Sequence, residues 1–179
     1  MARYRRYRKY TRRNRGRWSA NIQELGTTTI SLPSSTGAWF QDYVLAFNPT
    51  QINTAVSQIY TVKNFEVTFE ISTSSNTQLP SEVEDVTAYI MFVPQGMNVT
   101  ATYNLEHPEY IMAYKFIGSP IDDSNLSSKA QAPKIRTRLS RKLNTGDHVI
   151  LFIKGNKTSS SSSGDLEFHG LARWWTKAN

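Results

Sequence analysis

The sequence predicts an all-β protein, an eight-stranded antiparallel jelly-roll sandwich that follows a disordered basic N-terminal arm. Short apolar runs bounded by turn residues recur over about 150 residues, and no long amphipathic helical pattern interrupts them. The basic residues, in contrast, are concentrated at the N-terminus. Eight strands in two sheets match the jelly-roll count, although an immunoglobulin-like sandwich or an open barrel would give a similar periodicity. We therefore divide the chain into an arm, residues 1–18, and a β-domain, residues 19–179.

The arm holds nine Lys or Arg residues within positions 1–17, and the first acidic residue of the chain is Glu24. Residues 18–179 contain all 14 acidic residues and the other twelve basic ones, so this part carries a net charge of −2. Like charges at the density of the arm repel each other, and the arm has no apolar core to bury. It is therefore predicted to be disordered until a polyanion neutralises it. Nucleic acid is such a polyanion, because each phosphate contacted by Lys or Arg releases a counterion.

Tyr4, Tyr7 and Tyr10 interrupt the cationic run at every third position. Flat rings among guanidinium groups suit a single strand, whose unpaired bases stack on aromatic or Arg planes. The predicted nucleic-acid-binding residues of the arm are these three tyrosines with Arg3, Arg5, Arg6, Arg8, Lys9, Arg12, Arg13, Arg15 and Arg17. A nuclear import signal is a compatible interpretation, carried by Arg5, Arg6, Arg8, Lys9, Arg12 and Arg13. A tail that only aids solubility is the remaining alternative.

The pattern of the first half of the β-domain predicts four strands and a short helix. A run of β-branched residues ends at Pro33, and Asn48-Pro49 stops the next apolar run. The third run alternates strictly with period two, which predicts one buried face, whereas the fourth is apolar on both faces and should be covered on both. The predicted strands are Thr27–Leu32, Trp39–Phe47, Tyr60–Ile71 and Val86–Val93, the helix is Thr50–Ser57, and Ser72–Asp85 is a polar loop.

The second half predicts four more strands. A long connection spans residues 94–111, a polar loop spans Ile121–Pro133, and Asn144–Asp147 form a tight turn. Trp174 and Trp175 are adjacent on the last strand, so they must point to opposite faces, and one of them can fill the core. The predicted strands are Met112–Ile117, Lys134–Leu143, Val149–Ile153 and Leu166–Thr176.

The strand Lys134–Leu143 is the second cationic feature of the chain. Its basic residues at one strand parity should point to a single face, and with Lys129 they form a stretch without any acidic residue between Ser124 and Gly146. We predict that this face contacts nucleic acid or another subunit; the alternative is an exposed strand that charge protects from edge pairing. Arg141 has the opposite parity and could pair with a carboxylate. The predicted contact residues are Lys134, Arg136, Arg138 and Lys142.

No catalytic constellation is present, and we predict that the protein is not an enzyme and needs no cofactor or metal. The absence of cysteine excludes disulfides, thiol catalysis and Cys-ligated metals. The sequence contains no Gly-x-Ser-x-Gly, His-Glu-x-x-His or phosphate-cradling glycine loop, and no apolar run long enough for membrane insertion. His107, His148 and His169 lack metal-ligand spacing. The acidic residues Glu82, Glu84, Asp85, Asp122 and Asp123 could bind a divalent ion or a neighbouring subunit, but solvated loop charges are favoured.

Three stretches of the chain carry a resemblance to a known family. They are Met1-Ala2-Arg3-Tyr4-Arg5-Arg6-Tyr7-Arg8 in the arm, Ile59–Phe69 in the third strand, and Arg136–Asp147 in the basic strand with its turn. In these stretches the chain resembles the capsid proteins of small circular single-stranded DNA viruses, of the circovirus and cyclovirus kind.

The resemblance implies a capsid protein that self-assembles into an icosahedral T=1 shell of roughly 60 copies. It implies that the arm points inward and packages a single-stranded DNA genome. It also implies a nuclear localisation signal in the arm, a host import receptor as partner, and location in the virion and, during assembly, in the host nucleus. The loops Ser72–Glu84 and Lys154–Asp165 would lie at one end of the sandwich. A host-cell surface receptor is implied as well, but the sequence does not identify it.

An alternative function stays open. The chain could be a non-viral nucleic-acid-binding protein, or one of the satellite-RNA-virus type, in which a β-domain carries a basic tail. The sequence does not distinguish a DNA cargo from an RNA cargo, because both offer phosphates to the arm and unpaired bases to the tyrosines.

Overall fold

The structure, a computed structural model, describes residues 17–49, 59–73, 82–119, 132–160 and 164–178, together with the backbone of residues 121–122. None of these residues forms a helix that is long and apolar enough to cross a membrane. The elements in chain order are β1 Ser19–Ser31, β2 Gly37–Phe47, β3 Tyr60–Thr73, β4 Val83–Val93, α1 Tyr103–Glu106, a 3-10 turn Pro108–Tyr110, β5 Ile111–Gly118, β6 Ile121–Asp122, β7 Lys134–Leu143, β8 His148–Lys157 and β9 Asp165–Ala178.

The strands form two sheets that pack as a sandwich. The first sheet has the order β1-β9-β3, with β7 on the far side of β3, and the second has the order β2-β8-β4-β5. Within the described chain every pairing is antiparallel except that of the two-residue β6, which runs parallel to the end of β3. Non-consecutive strands are neighbours in both sheets, so the chain passes repeatedly from one sheet to the other. The predicted all-β jelly-roll sandwich is confirmed.

The main core lies between the two sheets, and β3 shows how the sequence produces it. Phe65, Val67, Phe69 and Ile71 are all buried, while the residues between them face outward, as the period-two pattern predicts. They meet apolar side chains of the second sheet, and both sheets contribute to one continuous cluster. Burial of this apolar surface makes the largest favourable contribution to the free energy of packing the two sheets together.

A bulge in β3 at Asn64 changes which residues face outward. Asn64 adopts a positive φ of 54°, and the pairing of β3 with both β7 and β9 shifts by one residue at this point. Val62, before the bulge, is buried like Phe65 after it. Lys63 and Glu66 therefore both lie on the outer face of the first sheet, although their spacing in an unbroken strand would place them on opposite faces.

The second sheet is also covered on its outer side. Met91 of β4 and Ile150 of β8 point away from the main core into a second apolar cluster, which the connection between β4 and β5 closes. Tyr103 of α1 is buried there, and its hydroxyl donates a hydrogen bond to the Phe92 carbonyl at 3.2 Å. The prediction that the fourth strand is covered on both faces is confirmed.

Several predicted boundaries were wrong, and long-range pairing explains why. β1 begins at Ser19, well before the predicted start, because it pairs with β9 along its whole length. Ser72 and Thr73 continue β3 and β4 begins at Val83, so the predicted loop is shorter than Ser72–Asp85. β7 has the predicted bounds. The predicted helix Thr50–Ser57 lies outside the described residues.

Candidate nucleic-acid interface

The outer face of the first sheet carries a cluster of basic side chains. The four basic residues that the sequence predicted to share one face of β7 do point to one side of that strand and are exposed, as their shared parity indicates. Strands β3 and β9 add three more basic residues to the same face, because the register places them beside β7. We call this surface the basic face; it comprises Lys134, Arg136, Arg138 and Lys142 of β7, Lys63 of β3, and Arg173 and Lys177 of β9.

Sequence reasoning missed the three residues on β3 and β9. None of them lies in a charge run, because Lys63 is the one Lys or Arg residue of β3 and the two in β9 are separated by three uncharged residues. A usable signal was present in β9, where Arg173, Trp175 and Lys177 share the parity opposite to that of the core residue Trp174. For Lys63 no local signal existed, because its outward position beside Trp175 depends on the bulge at Asn64.

Glu66 lies at the centre of the basic face and gathers three of its cations. The register sets Glu66 opposite Arg136 on one side and Arg173 on the other. Its carboxylate accepts a hydrogen bond from Arg136 Nε at 2.6 Å and from Arg173 Nη2 at 3.2 Å, and it lies 2.8 Å from Lys134 Nζ. The glutamate side chain is 19% exposed, less than any of the three cations.

The pKa of Glu66 is lowered from its ordinary value. The largest cause is the hydrogen bond from Lys134, which favours the ionised carboxylate; the Arg136 hydrogen bond and the charges of Arg136 and Arg173 act in the same direction. Partial burial opposes them. Glu66 is thus an ionised group at neutral pH, and it fixes the positions of two guanidinium groups.

The charges of the basic face are not balanced. Glu66 is the only acidic side chain that the described strands place among its seven basic residues. Within the described part of the chain, the side chains of Arg138 and Lys142 form no hydrogen bond or ion pair. The face therefore retains an excess of positive charge that a phosphate backbone could neutralise.

The basic face occupies only one half of the outer surface of the first sheet. It adjoins the start of β1, where Ser19 pairs with Thr176 and where Arg17, which is exposed, joins the arm to the domain. The other half of the same surface carries acidic residues instead. These are Glu24, Glu70, Asp165 and Glu167.

Two tryptophans lie among the cations. Lys63 Nζ lies 3.9 Å from the ring centroid of Trp18, and the Arg173 guanidinium lies 5.4 Å from that of Trp175. Trp174, on the opposite side of β9, is buried and stacks on Phe65. The prediction that the adjacent tryptophans divide between the core and the outside is confirmed.

Trp175 forms part of an open depression of about 410 Å³ at the bulge in β3. The depression combines an aromatic ring with three guanidinium groups and one carboxylate. Its lining residues are Asn64, Phe65, Glu66, Arg136, Thr137, Arg138, Arg173 and Trp175.

Other predicted residues have different environments. Arg141 donates a hydrogen bond from Nη2 to the backbone carbonyl of Glu109 at 2.8 Å and lies over the Phe92 ring. The expectation that it pairs with a carboxylate is wrong for the described residues. The arm residues from Arg3 to Arg15, with the three arm tyrosines, and Lys129 lie outside the described residues.

The acidic residues and histidines do not assemble into a site. Glu82 is buried, so its interpretation as a solvated loop charge is wrong, whereas Glu84 and Asp85 are exposed. His107 packs against the rings of Tyr103 and Tyr110, and its Nδ1 lies 3.3 Å from Oε1 of Glu109. In the described ranges no group of three or more His, Asp and Glu side chains could hold a metal ion.

No model of a known protein family matches this sequence, and no curated protein matches it significantly. The function is therefore inferred from the fold and from the basic face.

Proposed function

We propose that this protein is a viral capsid subunit that self-assembles into an icosahedral shell, T=1 with roughly 60 copies, and packages a single-stranded DNA genome through its arm. The observation that carries this proposal is the position of the basic face, which adjoins the start of β1, where the arm joins the domain. A nucleic acid bound by the arm would be led directly onto the basic face.

The number of charges in the arm and the length of the arm both fit this role. Nine basic residues in each of 60 arms would bring about 540 positive charges, enough to neutralise roughly 540 phosphates. An extended arm of about 17 residues reaches roughly 55–60 Å, far enough to follow a strand beyond the domain that carries it. The domain itself has a small net charge, which lets copies approach each other without strong repulsion.

An aromatic row on the second sheet supports assembly. Phe40, Phe152, Tyr89 and Tyr114 follow one another across β2, β8, β4 and β5, with ring centroids 5.7 to 6.2 Å apart. Tyr114 is 70% exposed, and Phe116 beyond it is 60% exposed. Exposed apolar surface of this kind marks contacts between proteins, and a second copy of the chain is the partner that self-assembly provides.

In this role the arm would also serve as the nuclear localisation signal. The protein would be recognised by a host import receptor, and it would be found in the host nucleus during assembly and in the virion afterwards.

A second candidate function is nucleic-acid binding without shell assembly, by a monomer or small oligomer. The basic face favours this alternative in one respect, because its cations are arranged within a single chain and need no second copy to bind a polyanion. An RNA cargo is equally compatible with both functions.

Negative-stain electron microscopy of the purified full-length chain tests the proposal, together with the ratio of absorbance at 260 and 280 nm in the same fraction. We expect uniform closed particles with a high ratio, and nuclease treatment with sequencing would then identify the cargo. A species that stays monomeric across protein concentration, salt and added nucleic acid would contradict the capsid function. Salt-dependent DNA binding by such a species would favour the second candidate.

A matched pair of variants makes the test sharper. Tyr114→Glu places a charge in the aromatic row and should block particle formation while leaving oligonucleotide binding intact. Leu171→Glu places the same charge at an exposed apolar residue of the first sheet, outside the aromatic row, and should leave assembly less affected. If both variants assembled as well as the unchanged protein, the aromatic row would not be an assembly surface.

A further inference from the structure

We propose that the depression at Trp175 is a binding site for one unpaired nucleotide, whose base stacks on the indole ring while its phosphate is held by Arg138. This inference rests on the proposed function, because it names the part of the packaged strand that the basic face would recognise. It goes further in assigning a base-dependent contact to the folded domain.

The size and openness of the depression suit a single nucleotide. Its volume of about 410 Å³ falls in the range of ~300–1,000 Å³ that is usual for small-molecule sites. It lies on the outer surface of the sheet, so a nucleotide can enter while the rest of its strand continues along the basic face. The bulge at Asn64 creates this recess, because the ladder between β3 and β7 is interrupted there.

The charged groups of the depression are held in place before any ligand binds. Glu66 fixes Arg136 and Arg173 through hydrogen bonds, so these two guanidiniums need little rearrangement. Arg138 lines the same depression, and its guanidinium has no ion pair or hydrogen bond within the described chain, so it is available for a phosphate. With three guanidiniums and one carboxylate, the depression keeps an excess of positive charge.

Trp175 determines which polyanion fits best. An indole ring contributes stacking only with a ligand that offers a free π-face, as an unpaired base does. The bases of a duplex are already stacked on one another, and a sulfated sugar or a polyphosphate has no base. The combination of Trp175 with Arg138 therefore favours single-stranded nucleic acid over other polyanions of equal charge.

The test compares two ligands of the same phosphate number on the full-length chain: a labelled thymidine hexanucleotide and a hexamer of abasic residues. Fluorescence anisotropy at fixed salt gives Kd for both. We expect the unchanged protein to bind the thymidine hexamer about fivefold more tightly, the lower end of the range for one stacked base. Trp175→Leu should reduce this preference without weakening abasic binding, and Trp175→Phe, which keeps a ring, should retain most of it.

A second comparison examines Arg138 against Lys142 on the same strand. Both are exposed on the basic face, but only Arg138 lines the depression. Arg138→Gln should weaken binding of both hexamers by a larger factor than Lys142→Gln does. Equal effects of the two substitutions would overturn the assignment of Arg138.

A preference for thymidine that is undiminished in Trp175→Leu would place base recognition elsewhere, as in the arm tyrosines, and would overturn the proposal. Equal binding of both hexamers by the unchanged protein would mean a general polyanion surface and would overturn it too. Trp175→Phe keeps the test valid if Trp175→Leu fails to fold. Failure here is distinguishable from failure of the proposed function, because nucleic-acid-filled particles would still be seen by microscopy.

Discussion

The carboxylate of Glu66 accepts a hydrogen bond from Nε of Arg136 at 2.6 Å, and this contact joins β3 to β7 across the outer face of the first sheet. The same carboxylate binds Arg173 of β9, so one acidic side chain connects three neighbouring strands. Glu66 also neutralises part of a surface that is otherwise positive. These two effects act in opposite directions on stability and on nucleic-acid binding, and each can be measured.

Glu66→Gln should lower the free energy of unfolding at pH 7 by about 0.5–1 kcal/mol, the scale of an exposed ion pair. The pKa of Glu66 is lowered in the folded protein, so its stabilising effect is complete above its ordinary pKa of 4.5 and is lost as pH falls through the lowered folded pKa. Urea denaturation from pH 7 to pH 3 should therefore show the two proteins converging in acid. A constant difference across this range would contradict the role of the ionised carboxylate.

The same substitution should strengthen binding to single-stranded DNA. Loss of the Glu66 charge leaves one more uncompensated positive charge among Lys134, Arg136 and Arg173, so the affinity should rise and the slope of log K against log salt should become steeper by up to ~0.7. A control is Glu70→Gln, which removes one negative charge from the acidic half of the same surface. If both substitutions change the slope equally, Glu66 acts through net charge alone.

Deletion of residues 1–16 removes eight basic residues and leaves Arg17 and Trp18 in place. We expect an unchanged thermal unfolding midpoint. For binding to single-stranded DNA, the slope of log K against log salt should become shallower by as much as ~5–6, since each neutralised phosphate contributes ~0.7. The nucleic-acid content of purified material should fall as well. If the shortened protein retained both its DNA and the slope of log K against log salt, the main binding site would be the basic face around Lys134–Lys142.

Gly155 of β8 faces the indole of Trp39, which is buried in the main core. A Cβ at position 155 would lie 2.7 Å from Trp39 Cζ2, so Gly155→Ala should destabilise the fold by about 1–3 kcal/mol through overpacking. Urea denaturation of this variant, of Trp39→Leu and of the double variant forms a mutant cycle. We expect the double variant to lose less than the sum of the two single variants; strict additivity would show that the two residues do not press on each other.

Asp147 fixes the turn between β7 and β8 to the chain that follows β4. Its buried carboxylate accepts hydrogen bonds from the backbone amides of Asn144 at 2.8 Å and Gln95 at 2.9 Å. Asp147→Ala leaves both amides without this acceptor. Chemical denaturation should therefore show a free energy of unfolding that is lower by about 1–3 kcal/mol. Asp147→Asn keeps one carbonyl oxygen and should cost less. A loss below about 0.5 kcal/mol for the alanine variant would mean that water replaces the carboxylate.

The sequence alone was sufficient to predict which side chains are exposed wherever the pattern is local and one face of the strand is buried. The alternation of β7 correctly predicted that Lys134 and Arg138 share an exposed face, because the intervening Ile135 and Thr137 must be buried. The two adjacent tryptophans of β9 could be separated for the same reason.

The candidate site itself could not be assembled from local patterns. Glu66 lies 70 residues from Arg136 and 107 from Arg173, so only the strand register brings them together. The bulge at Asn64 has no signature in the alternating pattern, yet it places Lys63 on the basic face. Arg141 had the predicted parity, but its partner is a carbonyl in the 3-10 turn, whose position depends on how the connection covers the second sheet.

The separation of the outer surface of the first sheet into a basic half and an acidic half gives the domain an electric dipole along its strands. A strand of nucleic acid would therefore exert a torque on an approaching domain as well as attracting its arm, and would turn the basic half toward itself. At physiological ionic strength the Debye length is about 8 Å, so this alignment acts only during the last stage of approach. Successive domains arriving on one strand would then share the same orientation before any of them touched its neighbour.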